Sequence, residues 1–285
     1  MTSPGPEDLV VTQATLDDWR VVGGWAADEG WNPGLSDRAS FFVQDPEGFF
    51  IGRIGGEPVS AISVVNYGSD YAFLGFYLVR PDLRGRGYGI TTWKTALAHA
   101  GGRTVGLDGV VAQQDNYRQS GFELAHRTVR FGGVAPVGET SPGVRPAEKA
   151  DLAAITAYDS ACCPADRPAF VESWLTGPEH RTVVRLADDG HLTGYGVIRP
   201  ARDSLRIGPL FADTADDARA LFSALAADAA GGAVAIDIPE TNTAGIALVE
   251  ELGLAPSFET ARMYTGPVRP FAQERVYGVT TLELG

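Results

Sequence analysis

Cysteine is nearly absent from this chain of 285 residues: there are two, Cys162 and Cys163, and they are adjacent. Neighbouring cysteines suit neither an ordinary disulfide nor a zinc site. The four histidines, His99, His126, His180 and His191, are scattered without ligand spacing, so no metal is expected. No apolar run is long enough to span a bilayer, and the N-terminal Met-Thr-Ser-Pro-Gly-Pro-Glu-Asp lacks the basic and apolar pattern of a signal peptide. The expectation is a reduced, cytoplasmic protein. Positive charge is also scarce: the formal net charge is −13, and both halves are acidic. Such a surface repels nucleic acid and anionic membrane, so a phosphate-bearing ligand needs a local exception. The remainder is ordinary for a folded soluble chain, with 44% hydrophobic and 21% charged residues and enough length for one large domain or two moderate ones.

An internal repeat organises the chain. Val11-Thr-Gln-Ala-Thr-Leu-Asp-Asp-Trp19 is echoed by Val144-Arg-Pro-Ala-Glu-Lys-Ala-Asp-Leu152, each a short strand, a polar break and an amphipathic helix. The strand ending Leu78-Val79-Arg80-Pro81 is echoed by Gly208-Pro209-Leu210, and Tyr117-Arg-Gln-Ser-Gly121-Phe122 by Val249-Glu-Glu-Leu-Gly253-Leu254. All three pairs share an offset of about 132 residues, which predicts two similar units. Gly, Pro, Glu, Thr and Ser crowd between them, giving a first domain over 1–132, a linker over 133–143 and a second domain over 144–285. In the first unit the pattern predicts a strand at Leu9–Gln13, a helix at Leu16–Asp28 and strands at Phe49–Ile54, Pro58–Asn66 and Tyr71–Val79. A helix at Ile90–Ala100 and strands at Thr104–Val111 and Phe122–Phe131 follow. The second unit repeats this order, and Arg275–Leu284 reads as one spare terminal strand. Meandering strands followed by strand–helix–strand predict an α+β fold with mixed, mostly antiparallel sheets flanked by helices.

The local exception to the acidic surface lies between Val79 and the helix that follows. Arg80, Arg84 and Arg86 interleave with Gly85, Gly87 and Gly89. Glycines there let successive backbone N–H groups converge, and the helix start adds partial positive charge, so the segment Arg84, Gly85, Arg86, Gly87, Tyr88, Gly89 is expected to hold an anion. A P-loop is excluded because Ile90-Thr91, not Lys-Ser or Lys-Thr, follows the last glycine. A dinucleotide fingerprint needs a different glycine spacing, although Asp108 stands about 20 residues on, where that fold places its ribose carboxylate.

Arg84-x-x-Gly87-x-Gly89, after a strand and Val79-Arg-Pro81, resembles the coenzyme A pyrophosphate loop of the GNAT N-acetyltransferase superfamily, and the order of elements over the whole first half resembles that family too. The second half resembles a degenerate copy. The resemblance implies that Leu78 and Val79 pair with the pantetheine arm of acetyl-CoA or another acyl-CoA, while Arg84 through Gly89 hold its pyrophosphate. It also implies that Tyr117, before Gly121-Phe122, protonates the departing thiolate, a transfer between groups of similar pKa. Val110 stands where the family often has an Asn that reaches the pantetheine.

The family's acceptor wall falls on the segment containing Glu29, Trp31 and Asn32, with Tyr77 on the strand beside it. That strand carries no carboxylate for a general base, so water, Glu29, Tyr77 or a group from the second half is expected to serve. The terminal strand is expected to complete its own half or, as an alternative, to cross back to the first half and bring the Gly285 carboxylate there as the base. The second half lacks the glycines, with Asp213, Asp216 and Asp217 in their place, and Val249 stands at the tyrosine position. One donor site per chain is therefore expected, with N-acyl transfer to a small-molecule primary amine as the reaction. The alternatives are a non-catalytic acyl-CoA-binding regulatory module, or a transferase using a carrier-protein or aminoacyl-tRNA donor.

Overall fold

A computed structural model describes residues 5–136 and 141–285, so part of the expected linker, 137–140, lies outside the described residues. The first unit runs β1 (Val10–Gln13), α1 (Leu16–Asp28), α2 (Asp37–Gln44), β2 (Phe49–Ile54), β3 (Glu57–Tyr67), β4 (Tyr71–Val79), α3 (Tyr88–Leu97), β5 (Thr104–Val110), α4 (Gln114–Gln119) and β6 (Glu123–Val134). The second repeats it: β7 (Val144–Pro146), α5 (Leu152–Cys162), α6 (Pro168–Leu175), β8 (Arg181–Leu186), β9 (Leu192–Pro200), β10 (Leu205–Ala212), α7 (Ala215–Ala226), β11 (Ala233–Pro239), α8 (Thr243–Glu251) and β12 (Ala255–Tyr264). A short β13 (Val276–Gly278) follows. Helices α2 and α6 are additions to the sequence reading. In α2 the adjacent Phe41 and Phe42 disguise a helix that buries Phe41 against Trp174 of α6, ring centroids 6.1 Å apart.

The strands join in one mixed sheet of 13 rather than two separate ones, in the order β1-β2-β3-β4-β5-β12-β6-β11-β10-β9-β8-β7, with β13 beside β10. The two units exchange their last strands: β12 pairs with β5 of the first unit, and β6 pairs with β11 of the second. Between them β6 and β12 form a long antiparallel pair. The repeats are thus separate in sequence and interlocked in space, and the first unit's β5 has a strand of the second as its outer neighbour.

Strand alternation assigns the two faces. Ala61 and Val65 of β3 enter one core with Trp19, Phe41, Ile155 and Trp174, whereas Ile62 and Val64 enter another with Trp93, Tyr117 and Phe122. Period-two alternation therefore puts α1, α2, α5 and α6 on one face and α3 and α4 on the opposite one, with α7 and α8 over the second unit.

Buried charges also tie the units together. Arg199 of β9 donates to Asp37 of α2 at 2.8 Å, both 1% exposed, and its guanidinium lies 4.5 Å from the Trp174 ring centroid. Burial opposes ionisation of Asp37, but Arg199 and His180 outweigh it and hold the carboxyl at about 2. A carboxyl depressed in the folded state stabilises above its unfolded value and loses that contribution as pH falls through the folded one. Asp37→Ala is predicted to cost about 3–5 kcal/mol at neutral pH, because it strands a buried guanidinium. Urea unfolding at pH 7 checks this, and the gap between wild type and variant should narrow as pH drops from about 4 towards 2.

Candidate active site

A break in one strand pair creates the site. β4 pairs with the parallel β5 only from Tyr71–Leu74 to Thr104–Leu107. On its other side the register with β3 slips between Ala61 and Ser63, so three steps of β4 oppose two of β3, and Phe76 sits at φ +48. An extra residue in one strand bends it and increases its twist. Beyond Leu74 and Leu107 the two strands therefore part, leaving a cleft that opens to solvent. Phe76 and Tyr77 line it from β4, Val110 from β5, and Tyr117 from α4.

Past the bulge, β4 turns one backbone edge towards this cleft. Arg80 donates its N–H to the Val59 carbonyl, which pairs those two residues with β3. In an antiparallel ladder the next residue then points its own N–H and C=O the opposite way, so those of Val79 face the open side. The Val79 carbonyl accepts from Arg84 Nε at 3.1 Å, and Leu78 is buried beside it. Neither Leu78 nor Val79 reaches the cavity lining itself, and they continue its edge towards the glycine-rich turn.

Gly87, at φ +86, ends that turn as the N-cap of α3 with no side-chain cap. The first hydrogen bond inside the helix is Thr91 N–H to the Gly87 carbonyl, so the N–H groups of Gly89 and Ile90 lie before any intrahelical acceptor. Arg84, Gly85 and Arg86 are exposed. Arg80 is paired with Asp82 at 2.9 Å, and Arg84 with Glu29 at the end of α1, while Arg86 has no ion-pair partner among the described residues. Glu29, expected near the chemistry, is thus engaged by the loop and does not line the cleft. Tyr88 is 1% exposed and belongs to the core beneath the turn.

Tyr117 is seated by a glycine. A Cβ at Gly109 would lie 2.4 Å from its ring, so only glycine lets the phenol lie on β5. The ring stacks on Trp93 with centroids 5.8 Å apart, and Tyr77 meets Trp93 edge-on at 5.1 Å. Burial, then the nearby Tyr77, pushes the Tyr117 phenol well above its ordinary value, which keeps it protonated. Its hydroxyl has no hydrogen-bond partner among the described residues. Asp108, the one residue that fitted a ribose site, is fully enclosed and bound twice by Arg262 of β12, at 3.0 and 2.6 Å, so that alternative fails.

The second unit shapes the other wall. Arg130 of β6 and Arg206 of β10 both pair with the buried Asp237, and both donate to the Trp31 carbonyl. Arg206 also binds the Asn32 carbonyl, and the Asn32 side chain accepts from Arg202 N–H at 2.9 Å. These bonds fix the loop so that Trp31 lines the cleft while Asn32 serves to anchor it. Phe258 and Thr260 of β12 complete this wall as a result of the strand exchange.

In the second unit the equivalent opening is filled. β10 leaves β11 after Ile207 and Ile236, and β13 lies in the gap, pairing Phe211 with Val276 and Leu210 with Gly278 while Val279 N–H binds the Asp237 carbonyl. At the start of α7 the Thr214 hydroxyl caps Asp217 N–H, and Asp216 and Asp217 occupy the first turn. The helix start is therefore satisfied from within and repels anions.

The expected strand Arg275–Leu284 is extended only over Val276–Gly278, because the Thr281 hydroxyl accepts from the N–H groups of Glu283 and Leu284 and turns the chain. The tail then crosses to the first unit. Tyr67 donates to the Leu284 carbonyl at 2.8 Å, and Arg167 donates to Gly285 at 2.8 Å. Gly285 lies against Phe73 and away from the cleft, which is lined instead by Leu282 and Glu283, a residue the sequence reading did not single out. No cluster of metal-ligating side chains occurs among the described residues, and no helix is long and apolar enough to cross a membrane.

Comparison with known proteins agrees with this division. Residues 12–122 match the Acetyltransferase (GNAT) family and residues 155–278 the Acetyltransferase (GNAT) domain. The holothin acyltransferase of Pseudoalteromonas sp. (strain SANK 73390) is 35% identical over 274 residues, covering 95% of this chain and 93% of that one. A Pyrococcus horikoshii crystal structure shares the fold with a TM-score of 0.82 at 20% identity, over 98% of this chain and 96% of that one. A tandem GNAT protein from the clavulanic acid biosynthesis pathway does so at 0.65 and 17%, over 91% and 99%.

Proposed function

The chain belongs to the GNAT family of acyltransferases, and we propose that it moves an acetyl or other small acyl group from a coenzyme A thioester to a small primary amine by direct attack in a ternary complex. The observation that carries this reading is the single open strand gap, which leads along the free edge of β4 into the uncapped start of α3. A thioester arm and a pyrophosphate need those two features in that order.

The residues fit such a donor. Arg84 and Arg86 offer exposed cationic side chains, and the turn through Gly89 its N–H groups, to the pyrophosphate, with Arg86 in no ion pair among the described residues. The pantetheine arm would lie between β4 and β5 along Leu78 and Val79, and the Val79 N–H would stabilise the negative charge that develops on the thioester oxygen. Tyr117, protonated and with no hydrogen-bond partner for its hydroxyl among the described residues, would deliver a proton to the departing thiolate. Its upward shift weakens the phenol as an acid, so a donor sulfur that develops full charge is the matching partner. On the far side, Trp31, Phe76 and Phe258 would flank the amine, which favours an acceptor with a flat, apolar body. Holothin, for which the Pseudoalteromonas relative is named, is a first acceptor to assay.

Gly87→Glu is predicted to abolish acetyl-CoA binding in calorimetry, but also to lower the unfolding midpoint, because Gly87 sits at φ +86 and a Cβ there would lie 2.9 Å from Pro6. Arg86→Glu, at an exposed side chain of the same turn, is predicted to weaken binding strongly with the midpoint unchanged. Unchanged affinity would remove the loop from the site. Tyr117→Phe is predicted to lower kcat by about 10²-fold with acetyl-CoA affinity retained. A variant turning over at the wild-type rate would make Tyr117 a packing residue only.

A further inference from the structure

Resting on the acyl-transfer reading, we propose that Glu283, delivered by the C-terminal tail, is the general base that takes a proton from the acceptor amine. β4 offers no carboxylate at the cleft, Glu29 is held by Arg84, and Asp108 is locked to Arg262. Of the two carboxylates lining the cleft among the described residues, Asp108 and Glu283, it is Glu283 that keeps an oxygen without a hydrogen-bond partner among them: it is 3% exposed, and its Oε2 is buried. It shares that cleft with Tyr117, the proposed acid, and with Trp31 and Phe258 of the proposed acceptor wall.

Its position is set by the backbone. A Cβ at Gly75 would lie 2.0 Å from the Glu283 carbonyl oxygen, so the tail crosses β4 at the one residue of the bulge that admits it. The Thr281 hydroxyl holds the Glu283 N–H at 2.9 Å, and Leu284 and Gly285 are anchored beyond it by Tyr67 and Arg167. The backbone that carries the carboxylate is therefore held on both sides.

Its surroundings suit a base. Burial raises the Glu283 carboxyl above the ordinary glutamate value, Arg206 of β10 and Arg130 of β6 pull it part of the way back, and Asp37 of α2 adds to the rise. The Thr281 hydroxyl favours the ionised form. A raised carboxyl accepts a proton more readily than a solvated one, and the two buried guanidiniums favour its charged form against the effect of burial.

The proton count closes. An ammonium acceptor gives one proton to the Glu283 carboxylate and becomes the free amine. Its nitrogen lone pair forms the C–N bond, the C–S bond breaks, and Tyr117 protonates the sulfur. The resulting tyrosinate takes the second proton from the nitrogen, leaving neutral amide and thiol, and Glu283 returns its proton to solvent. The tail that closes the second unit's gap thereby completes the first unit's site.

Glu283→Gln keeps the shape and removes the basicity. With acetyl-CoA as donor and holothin and benzylamine as acceptors, kcat/KM at pH 7 should fall by about 10²-fold while acetyl-CoA affinity is unchanged. The deficit should shrink as pH rises and the free-amine fraction grows, a recovery that a merely structural defect would not show. Glu283→Asp should restore part of the rate. Carbon-13 NMR of carboxyl-labelled glutamates, comparing wild type with Glu283→Gln, should place the Glu283 titration above that of the exposed glutamates. A variant at the wild-type rate at pH 7, a pH-independent deficit, or a Glu283 signal titrating with the exposed glutamates would overturn the assignment. Failure of wild type to bind acetyl-CoA would instead overturn the underlying function.

Discussion

The parting of β4 from β5 beyond Leu74 and Leu107 is the constraint on which the rest depends. A parallel pair cannot simply end inside a sheet, because the exposed backbone groups would lack partners. One extra residue in β4 turns the strand away, β3 keeps one edge paired, and the other edge is left for something extended to occupy. The proposed donor is that occupant: its arm would take the place of a strand, and the turn after β4 would receive its charged end. The same parting occurs between β10 and β11, and there the chain fills the gap with its own residues 276–278.

A duplicated scaffold has thus become asymmetric through one terminal segment. With β13 in the second gap and Thr214, Asp216 and Asp217 at the start of α7, the second unit lacks the open gap and the uncapped helix start of the first. It contributes structure to the first unit's site instead. Strand exchange brings Phe258 and Thr260 of β12 to the cleft, and Arg130 and Arg206 hold the Trp31 loop through its carbonyls. Arg130 and Arg206 are balanced by Asp237, and Arg199 by Asp37, so the seam between the units is held by paired buried charge.

How much of this was legible in the sequence follows from the range of each interaction. The turn Arg84–Gly89, rich in arginine and glycine, is a local pattern, as is the repeat, and both stand in the sequence residue by residue. The exchange of β6 and β12 does not. Alternation along Glu123–Val134 is the same whichever strand lies beside it, and the choice of partner is made by residues more than a hundred positions away. The tail shows the same limit: a run rich in Val and Thr reads as a strand, and only the Thr281 hydroxyl, competing for the backbone, stops it after Gly278. Glu283 was overlooked because a lone acid between Leu282 and Leu284 has no motif. The available signal was a charge set in an apolar stretch, which is costly unless it has buried partners or a task.

A crystal structure with acetyl-CoA, or with an analogue whose thioester cannot be cleaved, tests the central claim most directly. The account predicts one donor per chain, its pyrophosphate on the backbone of Arg84–Gly89, its arm between β4 and β5 with the acyl oxygen at Val79 N–H, and β13 still in the second gap. A donor lodged between β10 and β11 with the tail displaced, or one bound outside both gaps, would contradict it.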